Sequence, residues 1–336
     1  MLKNFQWGLI LISNSNIIEK AKELGLEKIA FLHTTELTND FKVIISASLS
    51  YNYNWNNESE SAFGYIARYT TANFYKLLRI KLKALGDFIY QQTEMTMKKN
   101  ELYHISINSN LNDKQIALQS GLGNILNNSL ISVNHKGCKF VLGNLLINED
   151  VDMCDSVIHQ VNECGSCHLC IDSCPTGALK ENRLFDKSIC LQHLSSQIGD
   201  EFDSKLDYII PHWNERFFGC TRCVDVCPLN NKNQQIECIA HELPGYIGTV
   251  FTADDCLKTI KKGEFKKKFT GNQLGANWIP EVALIRNYIL MNFKNNKSIC
   301  MEMYNSIDKS DLDTAEKKYL KKIILLLKNY DDISIK

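Results

Sequence analysis

The sequence predicts a mixed chain in three parts. These are an N-terminal α+β or α/β domain over residues 1–150, a cysteine-rich module over 151–235 and a helical C-terminal domain over 236–336. Three observations predict this. Up to about residue 150, short apolar strand-like runs alternate with helical patterns, as in layered α and β elements. Eight cysteines with ligand-like spacing fall between residues 164 and 230. From Thr252 onward, apolar residues recur at helical period.

In the first part, Leu9–Ile12 reads as a strand and Asn16–Leu24 as a helix closed by Gly25. Val43–Leu49 opens with β-branched residues and reads as a buried strand. Tyr51–Glu60 carries four Asn and Trp55 without apolar period and reads as a loop. Ser61–Gln91 keeps a helical period through Tyr65, Leu77, Leu78, Leu82, Leu85 and Ile89. His104–Ile107, Leu130–Val133 and Phe140–Leu146 read as strands. Lys114–Gln119 is a short amphipathic helix running into Gly121-Leu122-Gly123. In the third part Asn231–Glu237 is polar linker, and Trp278–Phe293 and Ala315–Tyr330 are amphipathic helices. The latter places Tyr319, Ile323, Leu326 and Leu327 on one face, which suits a short array of helical hairpins.

The middle part carries the chemistry. Cys164, Cys167, Cys170 and Cys174, with Pro175 following, match the C-x2-C-x2-C-x3-C-P spacing of two-cluster bacterial ferredoxins. Three thiolates at that spacing wrap one iron–sulfur cube, and the fourth points at its neighbour. Cys220, Cys223 and Cys227-Pro228 supply the reciprocal run, with its first ligand drifted upstream to Cys190. Cys164, Cys167, Cys170 and Cys227 are therefore assigned to one 4Fe–4S cluster, and Cys174, Cys190, Cys220 and Cys223 to the other. Ala178–Leu179 and Arg183–Asp186 should form a small turn-and-strand piece between the runs. Disulfides would need an oxidising compartment, of which nothing in the sequence speaks. Two four-cysteine zinc sites would explain neither the third cysteine of C-x2-C-x2-C nor the two Cys-Pro ends.

Composition sets the frame. Apolar residues make up 44% and charged residues 23%, as in ordinary soluble globular proteins. The other five cysteines (Cys138, Cys154, Cys238, Cys256 and Cys300) lack ligand spacing and read as buried or free thiols. The N-terminal run lacks a small-residue cleavage site, and no stretch reaches 18 apolar residues, so a cytoplasmic protein with no membrane span is expected. Net charge is zero. Residues 257–336 nevertheless hold 16 Lys and Arg against 9 Asp and Glu, so a polyanion should approach that side first. Lys258–Lys268, with Phe265 and Phe269 interleaved, has two readings, a tRNA contact or a solvated helical face. His168, inside the first cysteine loop, reads as packing or hydrogen bonding rather than ligating.

With these residues in place, the chain resembles the epoxyqueuosine reductases, cobalamin-dependent iron–sulfur enzymes of tRNA modification, over roughly residues 40–295. The cysteine block carries most of the resemblance, including Cys174-Pro175-Thr176-Gly177-Ala178-Leu179 and Cys190. Ile66-Ala67-Arg68-Tyr69 with Lys76-Leu77-Leu78-Arg79 resembles the family's arginine-tyrosine helix. Gly121-Leu122-Gly123 with Asn128 resembles its glycine-rich turn, and Leu142-Gly143 the strand that follows. Leu284-Ile285-Arg286-Asn287 resembles the start of its C-terminal, HEAT-like helical repeat.

The resemblance implies base-off cobalamin between the N-terminal domain and the nearer cluster, with Gly121, Gly123 and Asn128 as cofactor-binding residues. Glycines there would let backbone approach a corrin closely, although an ordinary tight turn explains them equally. It also implies a flavodoxin- or ferredoxin-type reductant, and tRNA bound through the basic C-terminal region. The departures concern acids. The family's Asp-Tyr-His triplet is Asn73-Phe74-Tyr75 here. Its proton-donating Asp falls near Ile107-Asn108-Ser109-Asn110, and its Gly-Lys-Asn is Leu126-Asn127-Asn128. Opening an epoxide needs a proton for the leaving alkoxide. Asp113, Tyr75 and His104 are the substitutes to examine, each with a structural role as the plainer reading. Two other function classes compete: a ferredoxin-type electron-transfer protein serving a partner enzyme, and an RNA-binding or assembly protein with structural clusters.

Overall fold

The structure, a computed structural model, describes residues 12–34, 41–54, 62–93, 97–152, 160–232, 235–237, 242–248, 250–252, 263–295 and 297–334. The strand expected at Leu9–Ile12 except Ile12 itself, most of the Tyr51–Glu60 loop, the basic run as far as Lys262, and Cys154, Cys238 and Cys256 lie outside the described residues.

Helix α1 (Asn14–Glu23) turns through Gly25, at φ +73, into strand β1 (Lys28–His33). There follow β2 (Val43–Ser50), β3 (Ala62–Ile66), α2 (Phe74–Gln92), β4 (Tyr103–Ser106) and α3 (Asp113–Gln119). The short hairpin β5 (Gly123–Ile125) and β6 (Ile131–Val133) then leads to β7 (Phe140–Ile147). Strands β1, β2, β7 and β4 make one sheet in that order, with every pair antiparallel. The domain is therefore α+β, which settles one alternative and corrects the other. The reason lies in burial. β2 is buried at all eight positions because helices cover both faces. Val43, Ile45, Ala47 and Leu49 pack with Leu78, Leu82, Leu85 and Ile89 of α2, while Ile44 and Leu146 pack with Ile116 of α3. A strand apolar on both faces reads like one from a parallel sheet whichever way its neighbours run.

A second correction concerns Ser61–Gln91. Ala62–Ile66 is a strand with Tyr65 53% exposed, and the helix begins only at Phe74. Asn73 caps it, its Oδ1 accepting the Lys76 N–H at 3.0 Å. Strand β3 is claimed by long-range partners, parallel β8 (Arg216–Phe218) and antiparallel β9 (Val250–Thr252). Helical period within one segment carries no trace of such partners.

The cysteine module contributes helices α4 (Leu169–Asp172), α5 (Leu206–Trp213) and α6 (Arg222–Asp225), and an antiparallel bridge joins Leu179 to Phe185 as expected. Three longer helices follow: α7 (Glu281–Asn295), α8 (Lys297–Lys309) and α9 (Thr314–Ser334). Their core includes Ile285, Ile289, Ile323 and Leu327, and extends to Leu191, Leu194, Phe202 and Trp213 on the other side of residue 235. Arg286 joins the two sides. Fully buried, it donates to the backbone carbonyls of Leu194 at 3.0 Å, Ser195 at 3.2 Å and Gln197. Its guanidinium also lies 3.5 Å from the Phe202 ring centroid. This is the physical content of the Leu284–Asn287 motif.

Candidate metal centre and adjoining cavity

The two cysteine runs have the same local backbone. His168 (φ −118, ψ 7) and Thr221 (φ −115, ψ 7) open α4 and α6, while Ser173 (φ −84, ψ −8) and Val226 (φ −81, ψ −7) close them. Each helix is followed by a Cys-Pro, and the two helices pack against each other. The chain thus builds one ligand-presenting turn twice, facing itself. His168 is exposed at its helix start and makes no side-chain cap there.

The thiols gather accordingly. Cys164 lies in the field of Cys227 and Cys167, and Cys170 in that of Cys164 and Cys227. Cys190 lies in the field of Cys220 and Cys174, and Cys223 in that of Cys220, Cys190, Cys170 and Cys174. Each of these thiols has neighbours from the set to which the spacing assigns it, and Cys223 also has Cys170 nearby. All nine described cysteines carry free thiols. Among the described residues no group of three or more His, Cys, Asp or Glu is placed to hold a single metal ion. Burial pushes the Cys170 thiol up to about 11, with the Cys164 and Cys227 thiolates adding to the rise, and it raises Cys190 and Cys223 as well. A cationic iron–sulfur core offsets that penalty, and its binding would release protons. The residues fit two clusters.

A cavity of about 810 Å³ adjoins the second set. Cys174, Cys190, Cys220 and Cys223 form one wall; Tyr51, Tyr69, Tyr75 and Lys114 form another; Trp278 stands at the rim with Pro280. The first set does not line it, so the two sets are proximal and distal to the cavity. Burial pushes all three phenols up. Tyr69 donates to Gln192 Oε1 at 2.5 Å, and the Tyr75 phenol is hydrogen-bonded to Asn108. Lys114 donates to Ser129 O at 2.7 Å, and burial lowers its pKa against the pull of nearby thiolates. Among the described residues no carboxylate lines the cavity.

The expected site residues divide. Tyr75 and Asn128 line the cavity, but Asn128 is committed, its amide donating to Cys138 Sγ and to Cys223 O at 3.3 Å each. Gly121 and Gly123 do not line it and serve the protein's own backbone instead. Gly121 sits at φ +71 with its carbonyl accepting from Lys28 at 2.8 Å, and a Cβ on Gly123 would lie 2.1 Å from Ser132 O. Asp113 is also spent. Its carboxylate accepts the Asn108 N–H at 3.0 Å and the Asn144 amide at 2.7 Å, outside the cavity. Ile107, the first residue of the stretch where the acid is expected, packs in the core beneath α2. His104 is exposed beside Phe41. In the basic run, Lys266 is bound to the carbonyls of Leu274, Ala276 and Ile279, and Phe269 is buried against Phe217, so neither faces solvent as a nucleic-acid contact. Sequence reasoning missed Tyr51, Lys114 and Trp278, although the Arg68-Tyr69 motif pointed at this wall.

A family of proteins described as the 4Fe-4S double cluster binding domain matches residues 163–230, which contain all eight assigned cysteines. The epoxyqueuosine reductase of Aliivibrio fischeri is 32% identical over 199 residues, covering 56% of this chain and 50% of that protein. The chain thus spans about half the length of the curated relatives it matches. A solved selenomethionine-labelled epoxyqueuosine reductase superposes with a TM-score of 0.72 at 22% identity, over 93% of this chain and 98% of the other. Another, bound to an epoxyqueuosine-modified tRNA-Tyr stem loop, gives 0.70 at 22% identity, over 94% and 98%. At such identity these structures establish the fold alone. The chain is thus similar to epoxyqueuosine reductases in sequence over about half of its length and in fold over nearly all of it, and it holds a match to the double-cluster domain.

Proposed function

We propose that the chain is a two-cluster, cobalamin-using oxidoreductase of the epoxyqueuosine reductase type, acting on a base in tRNA. The observation that carries this reading is the cavity wall. Four cysteines of one set open directly onto a space large enough for a sizeable ligand, so electrons held there have a short path to whatever fills it. The lining would suit a corrin: Leu130, Val141 and Leu179 offer apolar contact, and His193 is committed to Glu201 at 2.6 Å. Bound there, cobalamin would supply a low-potential cobalt centre able to take the oxygen of an epoxide.

The chain's own residues do the rest. The distal set lies beside exposed Leu169 and Val161, where a flavodoxin- or ferredoxin-type donor could reach it. The proximal set relays electrons to the cavity. At the rim Trp278, 65% exposed, and Phe185, 43% exposed, offer faces on which an unpaired base can stack. Lys114 and Tyr75 are among the proton-bearing residues that line the cavity.

The test is the visible spectrum and cobalt content of anaerobic, iron-reconstituted protein desalted after incubation with cobalamin. About one corrin and about eight iron per chain are expected. Iron near eight with no retained corrin would leave the competing electron-transfer reading. Among the described residues no helix is long and apolar enough to cross a membrane.

A further inference from the structure

Cys138 belongs to neither ligand set, yet it is built into the distal one. It lies just after the turn at Gly137, is 3% exposed, and packs with Leu126, Val224 and Cys227. Gly137 sits at φ +80, and a Cβ there would meet Asn230 Oδ1 at 2.1 Å. That close approach lets Asn230 Oδ1 accept the Cys138 N–H at 2.8 Å. Two amides then point at the sulfur: Asn128 Nδ2 at 3.3 Å and Asn230 Nδ2 at 3.8 Å. The same amides hold the backbone of the second run, Asn128 on Cys223 O at 3.3 Å and Asn230 on Val224 O at 2.6 Å. With donors on its acceptor side, the Cys138 thiol has its own S–H left to give, and the assigned ligand sulfur buried with it in that packed group is that of Cys227.

Resting on the two-cluster reading above, we infer that Cys138 is a tuning residue of the distal cluster: its thiol donates to the Cys227 sulfur and raises that cluster's reduction potential. A hydrogen bond to a ligating sulfur draws electron density from the cluster and favours the more negative, reduced state. The effect eases electron entry from a weak donor and leaves the proximal cluster unchanged.

The experiment is an EPR-monitored redox titration of anaerobic, reconstituted full-length protein, comparing wild type, Cys138→Ala and Cys138→Ser. Removing the donor in Cys138→Ala should shift the one-electron equilibrium of the distal cluster about tenfold toward oxidised, or ~59 mV to lower potential. The proximal signal should stay in place, and Cys138→Ser, which keeps a hydroxyl donor, should lie nearer wild type. A distal potential unmoved in Cys138→Ala, or both clusters moving together, would overturn the inference. So would loss of distal iron in both variants, which would make Cys138 a structural or ligating residue. Failure of the two-cluster reading itself shows separately, as about four iron in the wild type.

Discussion

Replacing Arg286 by Leu removes a cation fully buried between the cysteine-rich stretch and the C-terminal helices, and its cost can be worked from the contacts. Two of the carbonyls it serves keep other donors. Leu194 O still accepts the Gln197 N–H at 3.2 Å, and Ser195 O the Asn287 amide at 2.8 Å. Gln197 O and Asn287 Oδ1 lose the guanidinium. A buried acceptor left bare costs about 1–3 kcal/mol. Loss of the desolvated contact over Phe202 adds about 2 kcal/mol. Against this, Leu fills much of the volume and no charge has to be buried, burial alone already lowering the Arg286 pKa. The net expectation is a loss of about 3–5 kcal/mol.

Trp213 reports on this region because it is 1% exposed and its ring stands 6.0 Å from that of Phe202. Urea unfolding followed by tryptophan fluorescence should show the midpoint falling by about 1–1.7 M, taking a slope of ~3 kcal/mol per M. A shift under about 0.3 M at unchanged slope would refute the reasoning. It would mean that the desolvation cost of the arginine cancels its hydrogen bonds.

Cys227→Ser should alter the EPR signal of the cluster held by Cys164, Cys167 and Cys170; an effect confined to the Cys220–Cys223 cluster would break the crossed assignment. Asp87→Asn tests a pH dependence of known sign. Burial pushes the Asp87 carboxyl up, but hydrogen bonds from Lys99, Tyr103 and Lys83 outweigh it and hold the pKa at about 2. A carboxylate depressed below its unfolded value of about 3.9 adds stability above that pH, which is lost as the pH falls through about 2. Because the site is partly exposed, the substitution should cost about 1 kcal/mol or less at neutral pH, and the gap from wild type should close near pH 2. Trp278→Ala should raise the Kd for an epoxyqueuosine-modified stem loop roughly 5- to 150-fold, from about 1–3 kcal/mol of stacking, and should abolish any quenching of fluorescence on binding. Unchanged affinity would place the base elsewhere.

What was legible in the sequence was local. Ligand spacing is set over a few residues, so Cys164 to Cys174 and Cys220 to Cys227 announced the module that the two matching turns then built. Strands β2 and β7 were legible as strands, and their direction was not, because helices on both faces erase the alternation that marks an antiparallel sheet. The cavity was the least legible part. Tyr51, Lys114, Cys190 and Trp278 meet only through the tertiary fold, and no periodicity joins them. The glycines misled for a related reason. Gly123 needs its missing side chain because Ser132 O lies against it, a demand of the β5–β6 hairpin that looks the same in sequence as one made by a ligand.

The cavity's proton inventory bears on turnover. Cleaving a carbon–oxygen bond leaves an alkoxide, and a positioned acid is typically worth on the order of 10²–10⁴ in rate. Here the stretch where a carboxylic acid is expected, Ile107-Asn108-Ser109-Asn110, has no carboxylate, and Asp113 is held by Asn108 and Asn144 outside the cavity lining. Among the donors that line the cavity, burial makes the phenols weaker acids and Lys114 a stronger one, and Lys187, His193 and Arg222 stand there as well. The Lys114 ammonium is tethered to Ser129 O, so its proton must leave that carbonyl before it reaches a substrate oxygen. Slow reduction of epoxyqueuosine in tRNA is therefore expected, despite competent electron delivery from the clusters. In a single-turnover assay with reduced, cobalamin-loaded protein, Lys114→Met should remove most of the residual rate while leaving iron content and corrin retention in place. Tyr75→Phe should lower it less. Fast turnover by the wild type, or a Lys114→Met variant as active as its parent, would show that water or another group carries the proton.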